Sequence, residues 1–191
     1  MKKSILFLFV FIAILFSTNK ANAQFDYIGG GIALATGGEY EFDNYFYYNN
    51  SFGIDLRASY DYSKKFKFVP DFKIYFPNKE LFLTGGQSKT TVIAFNLNAH
   101  YILNAKTRSN YNVYLLFGGH ISGWNITDSR TPSVGNPTQL NVSEFKFVPG
   151  ANVGGGMQFH IGSRTLFFAE VKYTISTASQ LVFSPGLMYE F

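Results

Sequence analysis

Cysteine is absent from the 191-residue chain, which excludes a disulfide framework and any thiolate site. Beyond the first two dozen residues, no apolar run reaches the roughly 20 residues that a membrane-spanning helix needs. No Walker motif, dinucleotide fingerprint or metal-protease motif is present either. An excess of one charge is also missing once the N-terminus is set aside. Lys2 and Lys3, the apolar run from Ile5 to Phe16 and the A-x-A site Ala21-Asn22-Ala23 read as a signal peptide, cleaved to leave Gln24 first. Its apolar run is too short to cross a bilayer. Lys2, Lys3 and Lys20 leave with it, so 13 basic residues face 12 acidic ones in the mature chain. The basic pI thus gives no support to nucleic-acid binding, and no nucleic-acid partner is expected. The expected organisation is a signal peptide over 1–23 and one domain over 24–191.

What the chain does have is period-two alternation, the mark of a strand with unlike faces. It is clearest at the end, where Leu181, Phe183, Pro185, Leu187, Tyr189 and Phe191 share one parity and Gln180, Ser184, Gly186 and Glu190 the other. Eight such segments can be read, at about 26–36, 51–62, 66–77, 89–103, 110–122, 145–161, 165–176 and 180–191. Short links, as at Ser63 to Lys65 and Gly162 to Arg164, alternate with long ones at 37–50, 78–89 and 123–144. An aromatic final strand, even strand count and uneven loops predict an all-β fold. The expected architecture is an eight-stranded antiparallel up-and-down transmembrane β-barrel that closes its last strand on its first.

Alternation alone does not say which face looks inward, because soluble barrels share it. Glycine recurs on the polar parity, at Gly29, Gly31, Gly53, Gly118, Gly154, Gly156 and Gly186 among others. A narrow lumen has a use for small residues, whereas a solvated strand is only weakened by them. Charges of both signs share that parity: Asp55, Arg57 and Asp61 with Lys67, Asp71 and Lys73, and Glu170 and Lys172 with Glu190. Turned toward lipid, Arg57, Lys73 and Lys172 would each cost about 2–4 kcal/mol near the midplane. They are therefore expected inside, paired in a polar lumen network. Proline within a ladder removes a donor, so bulges are expected near Pro70, Pro149 and Pro185.

The signal peptide, the eight strands and the closing Pro185-Gly-Leu-Met-Tyr-Glu-Phe191 resemble the small outer-membrane β-barrel family that includes OmpX/OmpA-type barrels and PorT-like proteins. The resemblance covers the whole mature chain and implies the outer membrane of a Gram-negative bacterium. It also implies that Phe183, Tyr189 and Phe191 form lipid-facing rim aromatics and an address for the barrel-insertion machinery. Outer-membrane lipid is then the first partner, and a structural, surface or secretion-accessory role is the expected function.

Further constellations carry weight. His100, His120 and His160 share the inward parity but fall at different depths, so no metal site and no cofactor are expected. His120-Ile-Ser122 places a base and a hydroxyl on one face, with Glu144 the nearest downstream acid. It matches the first two positions of the His-x-Ser-Asn motif of the lipid A deacylases, and Gly123 stands where Asn should follow. A lipid-cleaving hydrolase is the alternative to a non-enzymatic barrel, and a small pore is the third. Loop 37–50 holds Tyr40, Tyr45, Tyr47 and Tyr48 and is expected to extend the hairpin above the membrane, its rings joining the interfacial girdle. Loop 123–144, with Pro132, Gly135 and Pro137, is expected to be mobile and exposed. Protein partners, if any, are expected at these two loops. The turn residues Lys64, Lys65, Lys106, Arg108 and Arg164 are expected at the opposite end.

Overall fold

The computed structural model describes residues 25–42, 45–81, 86–105, 110–130 and 140–191. The signal-peptide reading, with Ala21, Ala23 and Gln24, lies outside them, as do Lys106 and Arg108. The strands are β1 (Tyr27–Thr36), β2 (Gly38–Phe42), β3 (Tyr45–Asn49), β4 (Phe52–Ser59), β5 (Phe66–Tyr75) and β6 (Asn78–Leu81). They continue with β7 (Gly86–Ile102), β8 (Tyr111–Arg130), β9 (Leu140–His160), β10 (Thr165–Ser176) and β11 (Gln180–Glu190). All pairings are antiparallel. They run β5-β4-β1-β11-β10-β9-β8-β7, and β5 pairs with β7 to close the ring. The fold is a closed eight-stranded transmembrane barrel. Its seam is β1 on β11, from Tyr27↔Glu190 to Thr36↔Leu181.

The alternation that makes these strands also sorts their faces. Ile28, Ile54, Leu56, Phe72, Phe95, Leu97, Leu115, Phe117 and Val171 all stand exposed on the outer wall. In water such a surface would be untenable; in lipid it is the natural one. Inside, the lumen is too narrow for a large side chain at every position, and glycine supplies the room. A Cβ on Gly156 would meet the Tyr114 hydroxyl at 2.5 Å, and one on Gly186 would meet the Phe168 ring at 2.4 Å. Each large ring therefore lies over a glycine of the neighbouring strand.

Proline interrupts ladders without inserting residues. The β4–β5 register runs from Gly53↔Tyr75 to Arg57↔Asp71 and resumes unchanged at Tyr60↔Phe68, skipping Pro70. The seam likewise breaks between Gly31↔Gly186 and Leu34↔Phe183, beside Pro185, and keeps its register. Pro149 lies one residue past the end of the β9–β10 ladder at Gly150↔Ser176. No bulge accompanies these three prolines, because a missing donor costs a hydrogen bond and not a residue. A one-residue shift does occur at Phe76-Pro77. Opposite β7, Ile74↔Ile93 is followed by Asn78↔Thr90, which places three residues against two.

Three loop expectations are corrected. Within the link 78–89, Asn78–Leu81 is strand β6 and pairs with Gln87–Thr90 of β7. Residues 123–130 and 140–144 are strand, and β8 and β9 pair without a break from Tyr111↔Phe159 to Arg130↔Leu140. The alternation persists there with its polarity reversed. Trp124, Ile126 and Asp128 are buried, whereas Asn125 and Thr127 face out. Outside lipid the outer face meets water, so a search for apolar-out strands stops too early. Loop 37–50 is also a hairpin, with Gly38↔Asn49 to Phe42↔Tyr45 paired, but it does not extend the wall. Gly37 adopts φ 79°, a left-handed conformation natural to glycine, and its N–H donates to Asn50 Oδ1 at 2.8 Å. The hairpin then folds over the barrel mouth. Tyr47 is 3% exposed and donates to Asp128 Oδ2 at 2.9 Å. Asn49 Nδ2 donates to Gln180 Oε1 at 3.0 Å.

Candidate functional site

Charge is concentrated at mid-depth in the lumen, where the strand registers bring six ionic side chains together. Asp55 is paired with Lys73 and Arg57 with Asp71 across β4 and β5, and β10 contributes Glu170 and Lys172. Lys73 Nζ lies 2.6 Å from Asp55 Oδ2 and 3.0 Å from Asp71 Oδ1. Arg57 bridges Asp55 and Glu170, 3.0 Å from Glu170 Oε2. Lys172 Nζ reaches across the lumen to Asp71 Oδ2 at 3.1 Å. All six are buried, so three cations meet three anions. That balance matters because an unpaired charge in low dielectric is far costlier than a paired one.

Neutral groups complete the layer. Asn96 and Asn98 of β7 donate to Asp71 at 2.6 and 2.7 Å. Asn152 of β9 donates to both Asn96 and Asn98 at 2.9 Å and accepts from Thr174 at 2.9 Å. Tyr114 donates to Glu170 Oε2 at 3.1 Å, and the Arg57 guanidinium lies 3.8 Å over the Phe168 ring. These asparagines and Tyr114 were not read from the sequence as network members. The signal was available: Asn96, Asn98 and His100 share the inward parity of β7.

The remaining lumen candidates lie elsewhere. Lys67 and Asp61 pair at 2.8 Å near the short-turn end, where Asp61 is exposed and Glu190 half-buried. They form a rim pair, separate from the central layer, because Asp61 lies beyond the end of β4. Tyr189 and Phe191 stand at the same end, exposed, with ring centroids 6.2 Å apart. Phe183 lies six residues along β11, opposite Leu34 and Val171 on the lipid-facing wall, away from that rim.

The histidines do not converge. His100 is buried and stacked on Tyr114 at 4.2 Å, His120 contacts Asn96 Oδ1 through Nδ1 at 2.7 Å, and His160 is exposed. Among the described residues, no group of three or more His, Asp and Glu side chains is arranged to hold a metal ion. The hydrolytic constellation is likewise not assembled. Ser122 Oγ donates to the Val148 carbonyl at 3.3 Å and accepts from Trp124 Nε1 at 3.1 Å, while Glu144 is ion-paired with Lys146. Ser122 is buried in the lumen, its hydroxyl occupied by neighbours and not by a base.

The long-loop end has a different character. Ala33, Ala35, Tyr75, Val92, Ala94, Trp124, Val148, Ala178 and Val182 form an apolar core there, covered by Tyr40. Beyond it β6, β7, β8 and β9 continue as a four-stranded sheet. β9 pairs with β8 down to Leu140 but with β10 only as far as Gly150. Among the described residues, none pairs with 140–149 on the side away from β8.

No protein-family model matches the chain, and no curated protein matches it by sequence. Solved structures do match in fold. They include the outer membrane protein OprG of Pseudomonas aeruginosa, with TM-score 0.58 and 14% identity over 86% of this chain and 94% of that one. Neisserial surface protein A follows with TM-score 0.57 and 16% identity over 86% and 96%. Ail, the attachment invasion locus protein of Yersinia pestis, has TM-score 0.56 and 15% identity over 86% and 97%; that structure holds the heparin analogue sucrose octasulfate. The fold is that of the small outer-membrane β-barrels.

Proposed function

We propose that this chain is an integral outer-membrane protein of a Gram-negative bacterium, exported with a cleaved signal peptide and acting as a surface-interaction barrel. The closing strand, ending Tyr189-Glu-Phe191, carries the address for the insertion machinery. The membrane-spanning lumen is filled by paired charges and asparagines and serves as a rigid, non-conducting plug. Contact with a partner protein is made at the long-loop end.

The observation that carries this reading is the open edge of β9 over residues 140–149. An unpaired edge offers a row of backbone donors and acceptors to which an extended segment of another protein can add as a further strand. Pro149 removes one donor at the base of this edge, so pairing falls on the residues above it. The edge stands clear of the barrel wall, at the end where the longer loops lie.

The test is site-specific photocrosslinking in whole cells. A photoreactive phenylalanine analogue at Ser143 is expected to give a discrete protein adduct, and the same analogue at lipid-facing Tyr173 none. Proline placed in turn at 143 and 144 removes first one and then the other backbone donor. The substitution on the open side is expected to abolish the adduct while the barrel still folds. Equal adducts at Ser143 and Tyr173, or adducts indifferent to both prolines, would refute the edge as the contact.

A further inference from the structure

We infer that the outer wall carries a site for one anionic lipid of the leaflet at the long-loop end, its phosphate held by Lys79 and Lys89 and its acyl chain lying in the hollow below them. This rests on the transmembrane placement of the barrel and not on the partner edge of β9.

The two lysines are direct cross-strand partners, Lys79↔Lys89 between β6 and β7. Directly paired residues of antiparallel strands project from the same face, and like charges so placed destabilise a sheet. Both are exposed. No carboxylate among the described residues forms an ion pair with either. The outer face of β8 beside them carries Asn125 and Thr127 and no acid. The one-residue shift at Phe76-Pro77 is what turns Lys79 outward. Without it, Lys79 would share the inward parity of Tyr75.

Below the lysines the outer face changes character in an ordered way. The β7–β8 register reads Lys89↔Thr127, then Thr91↔Asn125, then Ile93↔Gly123, then Phe95↔Ile121. Cations come first, hydroxyl and amide groups next, apolar groups last. A phosphorylated membrane lipid has the same order: phosphate, polar acyl-bearing backbone, hydrocarbon. At the apolar level a hollow of about 200 Å³ is framed by Ile93, Phe95, Ile121, Phe145 and Phe147. Gly123 also lines it, with the Phe145 ring lying over that glycine, 2.6 Å from where a Cβ would stand. It adjoins a second hollow of about 290 Å³, and Phe72 and Phe95 line both. The second opens where Ala58 and Pro70 leave the wall low. Together they form an apolar track that starts below the Thr91–Asn125 row and continues into the hydrocarbon region, where a soluble ligand has no access. Juxtaposed basic residues beside a membrane recognise anionic head groups, and the track supplies a place for the tail.

The experiment offers the intact barrel, refolded in detergent, phosphatidylglycerol and phosphatidylcholine of identical chains in equal amounts, and counts bound lipid by native mass spectrometry. The wild type is expected to retain phosphatidylglycerol over phosphatidylcholine by at least about fivefold. Lys79→Gln with Lys89→Gln should bring the ratio to parity, and Lys79→Arg with Lys89→Arg should keep it. Both pairs lie on an exposed surface, and heat-modifiable gel mobility confirms that the barrel is folded. Glycerol phosphate and sucrose octasulfate, which have no tail, are expected to displace the lipid poorly. The proposal fails if the wild type shows no preference or if the double Gln variant keeps it. It fails equally if a tail-less anion competes as well as the lipid does, since that marks a soluble-polyanion site.

Discussion

The barrel has two storeys that invert one another. In the membrane storey the wall is apolar outside, at Leu97, Leu115 and Phe117, and charged inside, at Asp55, Arg57, Asp71, Lys73, Glu170 and Lys172. In the storey toward the long-loop end, Asn125 and Thr127 face out, while Trp124, Ile126, Val92 and Val148 are buried within. The same strands build both. On β8 the change falls between Ser122 and Trp124 inside and between Ile121 and Asn125 outside. A strand has no intrinsic inner chemistry; the solvent against its outer face dictates which parity must be apolar. Where lipid covers the outside, charge pairing and asparagine hydrogen bonds fill the middle of the lumen, and small apolar clusters, Leu166 with Phe168 and Met188 and Ile102 with Leu116, fill it toward the short-turn end. Where water covers the outside, an ordinary apolar core forms.

The sharpest way to break the comparison is to strip one partner from the charged layer. Asp71 is ion-paired with Lys73 and Lys172 and accepts from Asn96 and Asn98, so Asp71→Ala strands the buried Lys172 ammonium and leaves Lys73 to Asp55 alone. The expected loss is about 5 kcal/mol, the upper range for breaking a buried pair. It is measured by urea unfolding in lipid vesicles followed by far-ultraviolet circular dichroism. The loss should hardly change between low and high salt, because buried pairs are poorly screened. A cost below about 1 kcal/mol, or one that salt removes, would mean that the layer is wet and the plug open.

The corresponding cut in the other storey is Trp124→Ala. Trp124 is buried, packs against Tyr40 at 5.8 Å and donates to Ser122. Its removal is expected to cost about 3 kcal/mol by loss of packing, read by the same dichroism. Trp124 is the single tryptophan of the chain, so in other variants its emission reports on this storey alone. Coincidence of its unfolding midpoint with the dichroism midpoint would show that the two storeys unfold as one unit.

The membrane storey was legible in the sequence, and the other was not. Eight strands, the seam and the inward charges followed from one assumption, apolar residues out. That assumption holds wherever lipid is the solvent and fails above it. Hence β8 was expected to stop at residue 122 and β9 to start at 145, although Trp124 and Ile126 continue the alternation on the other parity. The hairpin at 38–49 was legible as aromatic but not as a cover. Whether Tyr47 joins a girdle or enters the mouth depends on Asp128, some 80 residues away. The central network was legible in its charges because alternation reports parity. It does not report depth, so Asp61, Lys67 and Glu190 could not be told from Asp55, Asp71 and Glu170.

Packing against glycine gives a smaller test within the membrane storey. Gly186→Val pushes a side chain into the space of the Phe168 ring and is expected to cost about 1–3 kcal/mol by overpacking. Gly119 has nothing within 4 Å of where its Cβ would stand, so Gly119→Val should be close to neutral. Unfolding midpoints of the two variants, measured side by side, separate a lumen that needs its glycines from a strand that merely tolerates them. Equal costs would mean that glycine acts through strand propensity alone.

The smallest expected effect concerns the join between the storeys and their cover. Tyr47 donates to Asp128 and, with Asn49 donating to Gln180, ties the β2–β3 hairpin over the mouth. Tyr47→Phe keeps the ring and deletes the donor. A single such bond contributes about 1 kcal/mol net, so the midpoint should fall slightly. The informative quantity is where the change is seen. Tyr40, on the partner strand of the same hairpin, packs against Trp124, so loosening the hairpin must alter the environment of that indole. The expected result is a shift in Trp124 emission in the folded state at almost unchanged dichroism. An unmoved emission would mean that Tyr40, the apolar core and the Asn49–Gln180 bond hold the hairpin without the Tyr47 hydroxyl. The cover would then be part of the upper core itself, built by the same apolar burial.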